Sequence, residues 1–333
     1  MPRSGVAAPR AHPGLRGRSV RVLVTGAYGF VGNAVVRRLA EAGHDTVALT
    51  HRPADAPVPE LPVSHVFRAD IRDGDALREA LEGVQGVCHL AALTRVRESF
   101  ERPEEYEAVN AGGTVTLLDA LAAASTGSQA PTVVLGSTAA VYGAPEQQPI
   151  GEDTVPAPSN PYGTSKLAAD RALQARAETG AIKAVSLRCF NISGAVSGVG
   201  DADESRIIPK AVAVAAGRYP QLEMNGDGDA VRDFVHVDDL ARAYVMALEA
   251  NTPASYRVYN VGATPASMRE IVATVERVTG RDVPVLHRPP QPEPPRLVAD
   301  ISRITADLGW KPERSSLEQL VSDAWSVVSA DSH

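Results

Sequence analysis

Short apolar runs alternate with segments of helical periodicity through the first part of this chain. The runs are rich in β-branched residues, which predicts buried strands at "VRVLVTG", "DTVALT", "SHVFRAD", "GVCHLAA", "PTVVLGS" and "KAVSLRCF". The intervening segments, such as "NAVVRRLAEAG" and "DGDALREALEG", space their apolar residues as a helix does. Strands alternating with helices predict an α/β fold, a doubly wound parallel sheet of the Rossmann type.

The alternation becomes irregular after about residue 190, where Gly- and Asp-rich loops separate helical segments such as "RIIPKAVAVAAG" and "SMREIVATVERVTG". We therefore predict a dinucleotide-binding domain over 20–190, to which 233–261 returns, and a smaller α/β substrate lobe over 191–333. Residues 1–19 contain four arginines, no acidic residue and no apolar stretch. This composition predicts a disordered leader, with a basic targeting or interaction tail as the alternative.

The first strand and the first helix are joined by "VTGAYGFVG", in which Gly26, Gly29 and Gly32 are three residues apart. Small residues at this junction permit a tight turn, close approach of a pyrophosphate and close packing of the helix on the sheet. The helix N-terminus adds amide donors and a positive potential for the anion. The turn therefore predicts dinucleotide binding; the alternative is a structural turn without a ligand.

A second motif, "SNPYGTSKLAAD", places Tyr162 four residues before Lys166, just after a proline. Residues with this spacing share one helix face, with Cβ atoms about 6 Å apart. A nearby cation favours phenolate, so we expect Lys166 to lower the pKa of the Tyr162 phenol. Tyr162 would then serve as a proton acceptor or donor. The simpler alternative is an exposed face where a tyrosine and a lysine are neighbours.

Composition narrows the class of function. The chain has 333 residues, of which 44% are hydrophobic and 22% charged, and its net charge of −7 disfavours binding to nucleic acid or an anionic membrane. No apolar run reaches the ~18 residues that a membrane-spanning helix needs. Cys88 and Cys189 lie inside apolar runs, where we expect buried free thiols rather than a disulfide or a metal site. We expect a cytoplasmic protein.

The G-x-x-G-x-x-G turn, followed later by Tyr-x-x-x-Lys, resembles the extended short-chain dehydrogenase/reductase family. Within that family the chain is similar to the nucleotide-sugar 4-epimerases of the UDP-galactose epimerase type. The segments that carry this similarity, in the family's order, are "VRESFERPEEYEAVNAGGT", "GSTAAVYG", "NPYGTSK", "LRCFNISGA", "RIIPKAV", "GDGDAVRDFVHVDDLA" and "LVADISRITADLGW". The resemblance implies a UDP-sugar substrate, NAD as cofactor and a homodimer.

The resemblance also implies the catalytic roles. Thr138 hydrogen-bonds the sugar 4-hydroxyl, Tyr162 removes the proton of that hydroxyl while the C4 hydride passes to the nicotinamide, and Lys166 holds the ribose hydroxyls. The 4-keto sugar then turns over in the site and takes the hydride back on its other face. No net oxidation occurs in this scheme.

Contacts with the cofactor are implied for residues at the predicted glycine turn, strand ends and helix starts. They are Gly26, Tyr28, Gly29, Phe30, Val31, Gly32, Thr50, His51, Arg52, Asp70, Ile71, Leu90, Ala91, Ala92, Asn110, Tyr162, Lys166 and Phe190. The chain departs from the family at the end of the second strand. Family members that bind NAD usually carry an acid there, whereas this chain has "LTHRP". A cation accommodates a 2′-phosphate, so NADP stays open beside NAD.

Contacts with the substrate are implied for Thr138, Asn191, Arg206, Ile207, Arg232, Leu297 and Asp300. Asn191 and Arg232 match phosphate-binding positions, and Asp300 matches an acid near the uridine ribose. The alternatives are an ion pair of Arg232 with Asp229 or Asp233, and Asp300 as the cap of a helix beginning at Ile301. The family's second phosphate arginine has no clear match; Arg288 and Arg296 are the candidates.

The sugar stays open between glucose/galactose and glucuronate/galacturonate. Arg206 replaces an uncharged amide and favours a carboxylate partner, or else it is a solvent-facing arginine at a helix start. Leu297 matches a position where a bulky side chain disfavours an N-acetyl group. Two rival functions remain, an NADP-dependent 4-ketoreductase or dehydratase and a non-catalytic NAD(P)-binding protein. The dehydratase is disfavoured because no Asp–Glu pair follows Thr138.

Overall fold

The computed structural model describes residues 19–53, 56, 58–125, 129–250, 254–291 and 293–330; of the leader predicted over 1–19, all but Ser19 lies outside them. The strands in these ranges are β1 (Arg21–Thr25), β2 (Asp45–Thr50), β3 (His65–Arg68), β4 (Gly86–His89), β5 (Thr132–Thr138), β6 (Lys183–Cys189), β7 (Asn191–Ser193), β8 (Ala195–Val196), β9 (Val199–Gly200), β10 (Leu222–Asn225), β11 (Val231–His236), β12 (Tyr256–Val261), β13 (Thr264–Ser267), β14 (Val285–Arg288) and β15 (Arg296–Leu297).

The helices in the same ranges are α1 (Phe30–Glu41), α2 (Gly74–Ala80), α3 (Val96–Glu101), α4 (Pro103–Tyr106), α5 (Gly113–Ala124), α6 (Pro161–Glu178), α7 (Ile207–Ala215), α8 (Val237–Glu249), α9 (Met268–Thr279), α10 (Ser302–Leu308) and α11 (Leu317–Ala330). A π-helical turn (Glu107–Gly112) joins α4 to α5, and a 3₁₀ turn (Ala139–Tyr142) follows β5.

The main sheet in the described part of the chain has seven strands in the order β3-β2-β1-β4-β5-β6-β12, all parallel. The chain moves outward from β1 to β3 and then returns to the other side of β1 at β4. This reversal is the switch point outside which open α/β sheets bind ligands, beyond the carboxyl ends of the strands. The predicted doubly wound α/β fold is confirmed.

Alternation along the buried strands builds a core on each face of this sheet. Val22 and Val24 of β1 point into a core with α1 and α8, whereas Leu23 points into a second core with α2, α5 and α6. Side chains in a strand alternate between the two faces, so a run that is apolar throughout must be covered on both sides. Each fully buried Val or Leu contributes roughly 1.5–3 kcal/mol to this packing.

The second half of the chain builds a separate group of smaller sheets and also returns to the main sheet. Strands β7, β13 and β15 each pair with β11, β10 pairs with β14, and α7, α9 and α11 pack around a third core. Helix α8 packs on α1, and β12 pairs with β6 in the main sheet. Of the residues 233–261, α8 and β12 pack with the main sheet, whereas β11, up to His236, belongs to the smaller sheet. The domain limits stay predictions.

Other features bear on the sequence predictions. Residues 103–124 form one continuous helical run, in which the π-helical turn Glu107–Gly112 lies between α4 and α5. Cys88 and Cys189 are free and buried. No helix among the described residues is both long and apolar enough to cross a membrane.

Candidate active site

The glycine turn lies at the switch point of the sheet. Gly26 follows β1 with φ of +68°, a conformation that favours glycine, and a Cβ on it would lie 2.9 Å from the backbone nitrogen of Ala91. A Cβ on Gly32 would lie 2.1 Å from the carbonyl oxygen of Gly26, so helix α1 can pack this close to the turn only with glycine there. Tyr28, Phe30 and Val31 are partly buried and pack against the core between α1 and the sheet.

The turn fits a pyrophosphate. Helix α1 begins at Phe30 with no acidic residue in its first turn, and no side chain caps its first amides. These amides therefore keep their donors and the positive end of the helix dipole for an anion. Leu90 and Ala91, at the end of β4, lie directly beside Gly26 and narrow the same crevice.

Residues 160–163, at the start of α6, position Tyr162 of the second motif. Asn160 caps α6 by accepting a hydrogen bond from the Gly163 amide at 2.8 Å, and Pro161 begins the helix, where its missing N–H costs nothing. A Cβ on Gly163 would lie 2.6 Å from the carbonyl oxygen of Ala140. Gly163 thus lets α6 approach the turn after β5, which brings Tyr162 to Thr138 at the carboxyl end of that strand.

The prediction that Lys166 lowers the pKa of the Tyr162 phenol is wrong for the nucleotide-free chain. Burial raises the pKa of Tyr162, and a hydrogen bond with Thr138 and the charge of Arg206 oppose that rise only in part. The ring also stacks edge-to-face on Tyr106, with centroids 6.4 Å apart. The phenol is therefore held protonated, and the expected fall of its pKa is not present in this state.

Lys166 follows one turn later on α6, and its residue is only 3% exposed. Burial lowers the pKa of its ammonium from 10.5 to about 8, although the charge of Asp170, a further turn along, opposes this fall. Asp170 is itself held by Ser186 at 2.9 Å and Arg188 at 3.1 Å. Lys166 makes no hydrogen bond or ion pair with any residue that the structure describes, so its three donors are available for a ligand.

His89, which the sequence analysis did not select, connects the glycine turn to this helix. The Thr25 hydroxyl oxygen accepts from the amides of Leu90 and Ala91, both at 3.0 Å, so its own proton goes to His89 Nδ1 at 2.7 Å. Thr114 donates to the Asn110 carbonyl and so accepts from His89 Nε2 at 3.0 Å. These hydrogen bonds fix one neutral tautomer of His89, and burial lowers the pKa of its imidazole to about 3.

Asn110 lies in the π-helical turn and holds two segments of the site together. Its amide group donates to the Leu93 carbonyl at 3.0 Å and to the Ser165 hydroxyl at 2.9 Å, and its oxygen accepts from the Leu93 amide at 2.8 Å. Both of its donor hydrogens are therefore used within the protein. Through these bonds Asn110 links the backbone of Leu93 to Ser165 of α6; its predicted contact with the cofactor stays a prediction.

The residues predicted for the adenosine end lie together beyond β2 and β3. Thr50 is buried and its hydroxyl accepts from the Arg52 amide at 3.2 Å, whereas His51 and Arg52 are exposed. Asp70 is exposed, and the adjacent Ile71 is buried in the core against Gly113.

On the substrate side, the ion pair of Arg232 with Asp229 or Asp233, predicted as the alternative to phosphate binding, is wrong. Its guanidinium pairs with Glu293 at 3.1 Å, while Asp229 pairs with Arg269. Asp233 is buried and accepts from the amides of Ala263 at 2.7 Å and Ala299 at 2.9 Å. The strand that carries Arg232 is therefore tied to two neighbouring loops.

Asn191 begins β7, and its amide donates to the Asp233 carbonyl at 2.9 Å, so it lies next to Arg232 on the paired strand β11. Asp300 accepts from the Ser302 amide at 2.8 Å, and the helix there begins at Ser302 instead of the expected Ile301. Leu297 of β15 pairs opposite Arg232, and Phe190 packs in the small core that Leu297 borders.

The candidates for a second phosphate arginine separate in the structure. Arg288 is exposed on β14, in the two-stranded sheet with β10, and pairs with Glu223 at 2.7 Å. Arg296 lies on β15, opposite Val231 of β11, and is thus the one next to Arg232.

Arg206 directly precedes α7, whose first helical residue is Ile207, and its side chain makes no capping hydrogen bond. Its guanidinium pairs with Asp201 at 2.8 Å and lies 3.9 Å from Asp203, so two carboxylates already face it. Its positive charge nevertheless acts on the Tyr162 phenol, where it opposes the rise of the pKa. Arg206 therefore joins the loop before α7 to the reacting end of the site.

The sheet order, the glycine turn and the Tyr–Lys helix define a dinucleotide-binding protein of the short-chain dehydrogenase/reductase class. Residues 22–262 match the model of the NAD dependent epimerase/dehydratase family. A UDP-glucose 4-epimerase of Streptomyces lividans is 39% identical over 319 residues, which cover 92% of this chain and 95% of that protein. The chain belongs to the NAD-dependent epimerase/dehydratase family.

Solved structures agree with this assignment. The UDP-glucose 4-epimerase of Brucella ovis in complex with NAD superposes with a TM-score of 0.85 at 35% identity, covering 92% of this chain and 98% of that one. The protein MoeE5 in complex with UDP-glucuronic acid and NAD superposes with a TM-score of 0.83 at 29% identity, covering 94% and 100%. NAD is the cofactor of this fold and family.

Proposed function

We propose that this chain inverts the configuration at C4 of a UDP-hexose with bound NAD. Its relatives named UDP-glucose 4-epimerase, which it matches over nearly their whole length, support this reaction. The observation that carries the proposal is the convergence of Thr138, Tyr162 and Lys166 at one carboxyl edge of the sheet, beside the glycine turn. When bound, the nicotinamide supplies an acceptor and donor of hydride.

Three side chains share the proton chemistry. Thr138 accepts from the Ala140 amide at 3.2 Å and is hydrogen-bonded to Tyr162, so a sugar 4-oxygen that enters the site takes the Thr138 hydroxyl proton in place of the phenol. Tyr162 takes the 4-hydroxyl proton during oxidation and returns it during reduction. Lys166 binds the ribose hydroxyls and brings a positive charge toward the phenol, which lowers its pKa from the raised value of the nucleotide-free state.

Binding of the nucleotide half falls to the second sheet in this proposal. Asn191, Arg232 and Asp300 lie on neighbouring segments, and the guanidinium of Arg232 suits a diphosphate. Burial lowers the pKa of Arg232, and Glu293, its only acidic partner among the described residues, opposes this fall only in part. The positive charge of the Arg232 guanidinium is therefore only partly balanced, which favours binding of a diphosphate.

For the sugar we propose the neutral glucose/galactose pair. Arg206, the residue that favoured a uronic acid, already faces Asp201 and Asp203, and the first of these is almost fully buried. A substrate carboxylate would have to compete with both. The uronic acid pair stays the alternative, because the charge of Arg206 does reach Tyr162 and because the similar protein MoeE5 was solved with UDP-glucuronic acid.

Incubation of the purified chain with single UDP-sugars, without added cofactor, tests both points when C4 inversion is followed by NMR. We expect UDP-glucose and UDP-galactose to interconvert, and Tyr162→Phe to abolish turnover while keeping its cofactor. Arg206→Ala should slow UDP-glucose and UDP-glucuronate alike and shift the activity profile to higher pH. A loss confined to UDP-glucuronate would contradict the neutral-sugar proposal, and full activity of Tyr162→Phe would contradict the proton-transfer role.

We further propose that the chain is a cytoplasmic homodimer that associates through α5 and α6. Val115 of α5 is a large apolar side chain on the surface, 43% exposed. Arg176 of α6 pairs with Asp119 of α5 and holds the two helices together. Light scattering of the purified chain tests this; Val115→Arg should yield monomers, and a monomeric wild type would refute the dimer.

A further inference from the structure

A buried carboxylate lies one turn beyond Lys166 on α6. Asp170 is 2% exposed and follows Lys166 by four residues, so the two side chains lie on one face of the helix. The neighbouring strand β6 holds both carboxylate oxygens, because Ser186 donates to one at 2.9 Å and Arg188 donates to the other at 3.1 Å. Tyr256 of β12 in turn donates to the Ser186 hydroxyl at 3.3 Å. A hydroxyl donor and a guanidinium partner both stabilise the ionised form of a buried carboxylate.

The ammonium of Lys166 has few groups near it that favour its charge. Burial lowers the pKa of Lys166 to about 8, and the charge of Asp170 opposes this fall more strongly than the Cys189 thiol of β6 does. Burial raises the pKa of Cys189 to about 12, so this thiol is uncharged at pH 7. His89 of β4 also faces Lys166 and is uncharged, because burial lowers the pKa of its imidazole to about 3. Of the groups that act on Lys166 in the described part of the chain, Asp170 is therefore the one that carries a negative charge at neutral pH.

Neighbouring elements fix the ion pair of Asp170 with Arg188 in place. The Arg188 guanidinium lies over the ring of Tyr142, 4.9 Å from its centroid, in the 3₁₀ turn that follows β5. The Tyr142 hydroxyl donates to the side-chain oxygen of Asn260 on β12 at 2.7 Å. Contacts between buried groups therefore join α6, β6, β12 and the turn after β5, and they hold the Asp170 carboxylate at a fixed position on the face of α6.

We propose that Asp170 is a positioning residue of the reaction, whose charge keeps Lys166 in the ammonium form that binds the ribose hydroxyls and acts on the Tyr162 phenol. The inference rests on the proposed function, which gives Lys166 these two tasks. Without the carboxylate, desolvation acts almost alone on the ammonium, and the neutral amine that results has no charge to favour phenolate. If Asp170 only tied α6 to β6, its loss would lower stability and leave the titration of Lys166 unchanged.

Direct titration of the lysine side chains tests this role. The chain contains four lysines, which are Lys166, Lys183, Lys210 and Lys311. The full chain is produced with 13C-labelled lysine, freed of nucleotide and titrated by NMR of the Cε resonances, and the Lys166 signal is assigned by its absence from Lys166→Met. Since its pKa is lowered to about 8, we expect Lys166 to titrate well below the other three. Asp170→Asn should lower the midpoint of Lys166 further, by about one pH unit or more, because a nearby opposite charge changes a pKa by about 1–3.

Three further variants separate the effect of the charge from damage to the fold. Asp170→Glu keeps the carboxylate and should keep the midpoint of Lys166 near that of the wild type. Glu178→Gln removes an exposed carboxylate at the end of the same helix and should leave the midpoint unchanged. Asp170→Asn leaves the Arg188 charge buried without its counter-ion, which costs stability. If that variant does not fold, Asp170→Asn combined with Arg188→Met removes both charges and should show the same fall, because Arg188 is not among the groups that act on Lys166.

The pH profile of C4 inversion gives a second readout. For Asp170→Asn we expect the alkaline limb of the profile to move to lower pH, and for Asp170→Glu we expect it to stay near that of the wild type. An unchanged midpoint of Lys166 in Asp170→Asn or in the double variant would overturn the inference, whatever the activity. A midpoint that falls as expected in a chain whose wild type shows no C4 inversion would instead contradict the proposed function.

Discussion

Replacing Lys166 with methionine separates the stability of the chain from its function. The Lys166 ammonium is buried, and its pKa falls from 10.5 to about 8. At roughly 1.4 kcal/mol per pKa unit, that difference corresponds to about 3 kcal/mol by which the charged form destabilises the nucleotide-free fold. Methionine keeps the apolar stem without the charge, and Asp170 keeps Ser186 and Arg188 as partners. We therefore expect Lys166→Met to unfold at a higher temperature than the wild type while losing turnover.

Thermal unfolding of nucleotide-free protein at pH 7 provides the measurement, with Lys311→Met, which removes an exposed lysine, as the matched control. The sign of the pH dependence follows from the lowered pKa. Between about 8 and 10.5 the unfolded chain binds more protons than the folded one at this residue, so wild-type stability rises with pH relative to the variant. The gap should therefore shrink above pH 8. A variant less stable than the wild type at pH 7, or a gap independent of pH, would refute the reasoning.

Further substitutions test other parts of the site. Gly32→Ala should yield protein that is less thermostable and purifies without nucleotide, since the new Cβ would lie 2.1 Å from the Gly26 carbonyl; normal NAD absorbance of the variant would contradict this. His89→Phe removes the acceptor of the Thr25 hydroxyl proton and the donor to the Thr114 hydroxyl and should cost about 1–3 kcal/mol in denaturant unfolding, with His89→Asn less affected. Because the folded pKa of His89 is about 3, the unfolded chain binds the extra proton between about 3 and 6.5, so wild-type stability falls as pH falls through that window and the phenylalanine variant should lose this component. Asp233→Ala removes the acceptor of two buried amides and should destabilise by a similar amount, about 1–3 kcal/mol; unchanged unfolding would show that the loops do not depend on it.

Much of the architecture follows from local sequence, because the signals are local. The β1 run is apolar at successive positions, and that predicts a strand covered on both faces without knowledge of its neighbours. The glycine turn is likewise a contiguous motif. The same holds for the start of α6, where Asn160 and Pro161 act within one turn.

What the sequence did not predict depends on residues far apart in the chain. Arg232 pairs with Glu293, 61 residues later in the chain, whereas the sequence offered only its near neighbours as partners. The π-helical turn is fixed by Asn110 bonding to Leu93 and Ser165, which no helical periodicity reveals. The raised pKa of Tyr162 comes from burial, and that burial depends on the contact between Gly163 and the turn after β5.

The central claim is that one hydrogen leaves and returns to C4 of the sugar within a single closed site. UDP-glucose labelled with deuterium at C4, incubated with the purified chain in ordinary water without added cofactor, tests it directly by NMR and mass spectrometry. The account predicts that the UDP-galactose formed keeps the deuterium at C4. Product that has exchanged the label with solvent, or no product until NAD(P)H is supplied in stoichiometric amount, would contradict it.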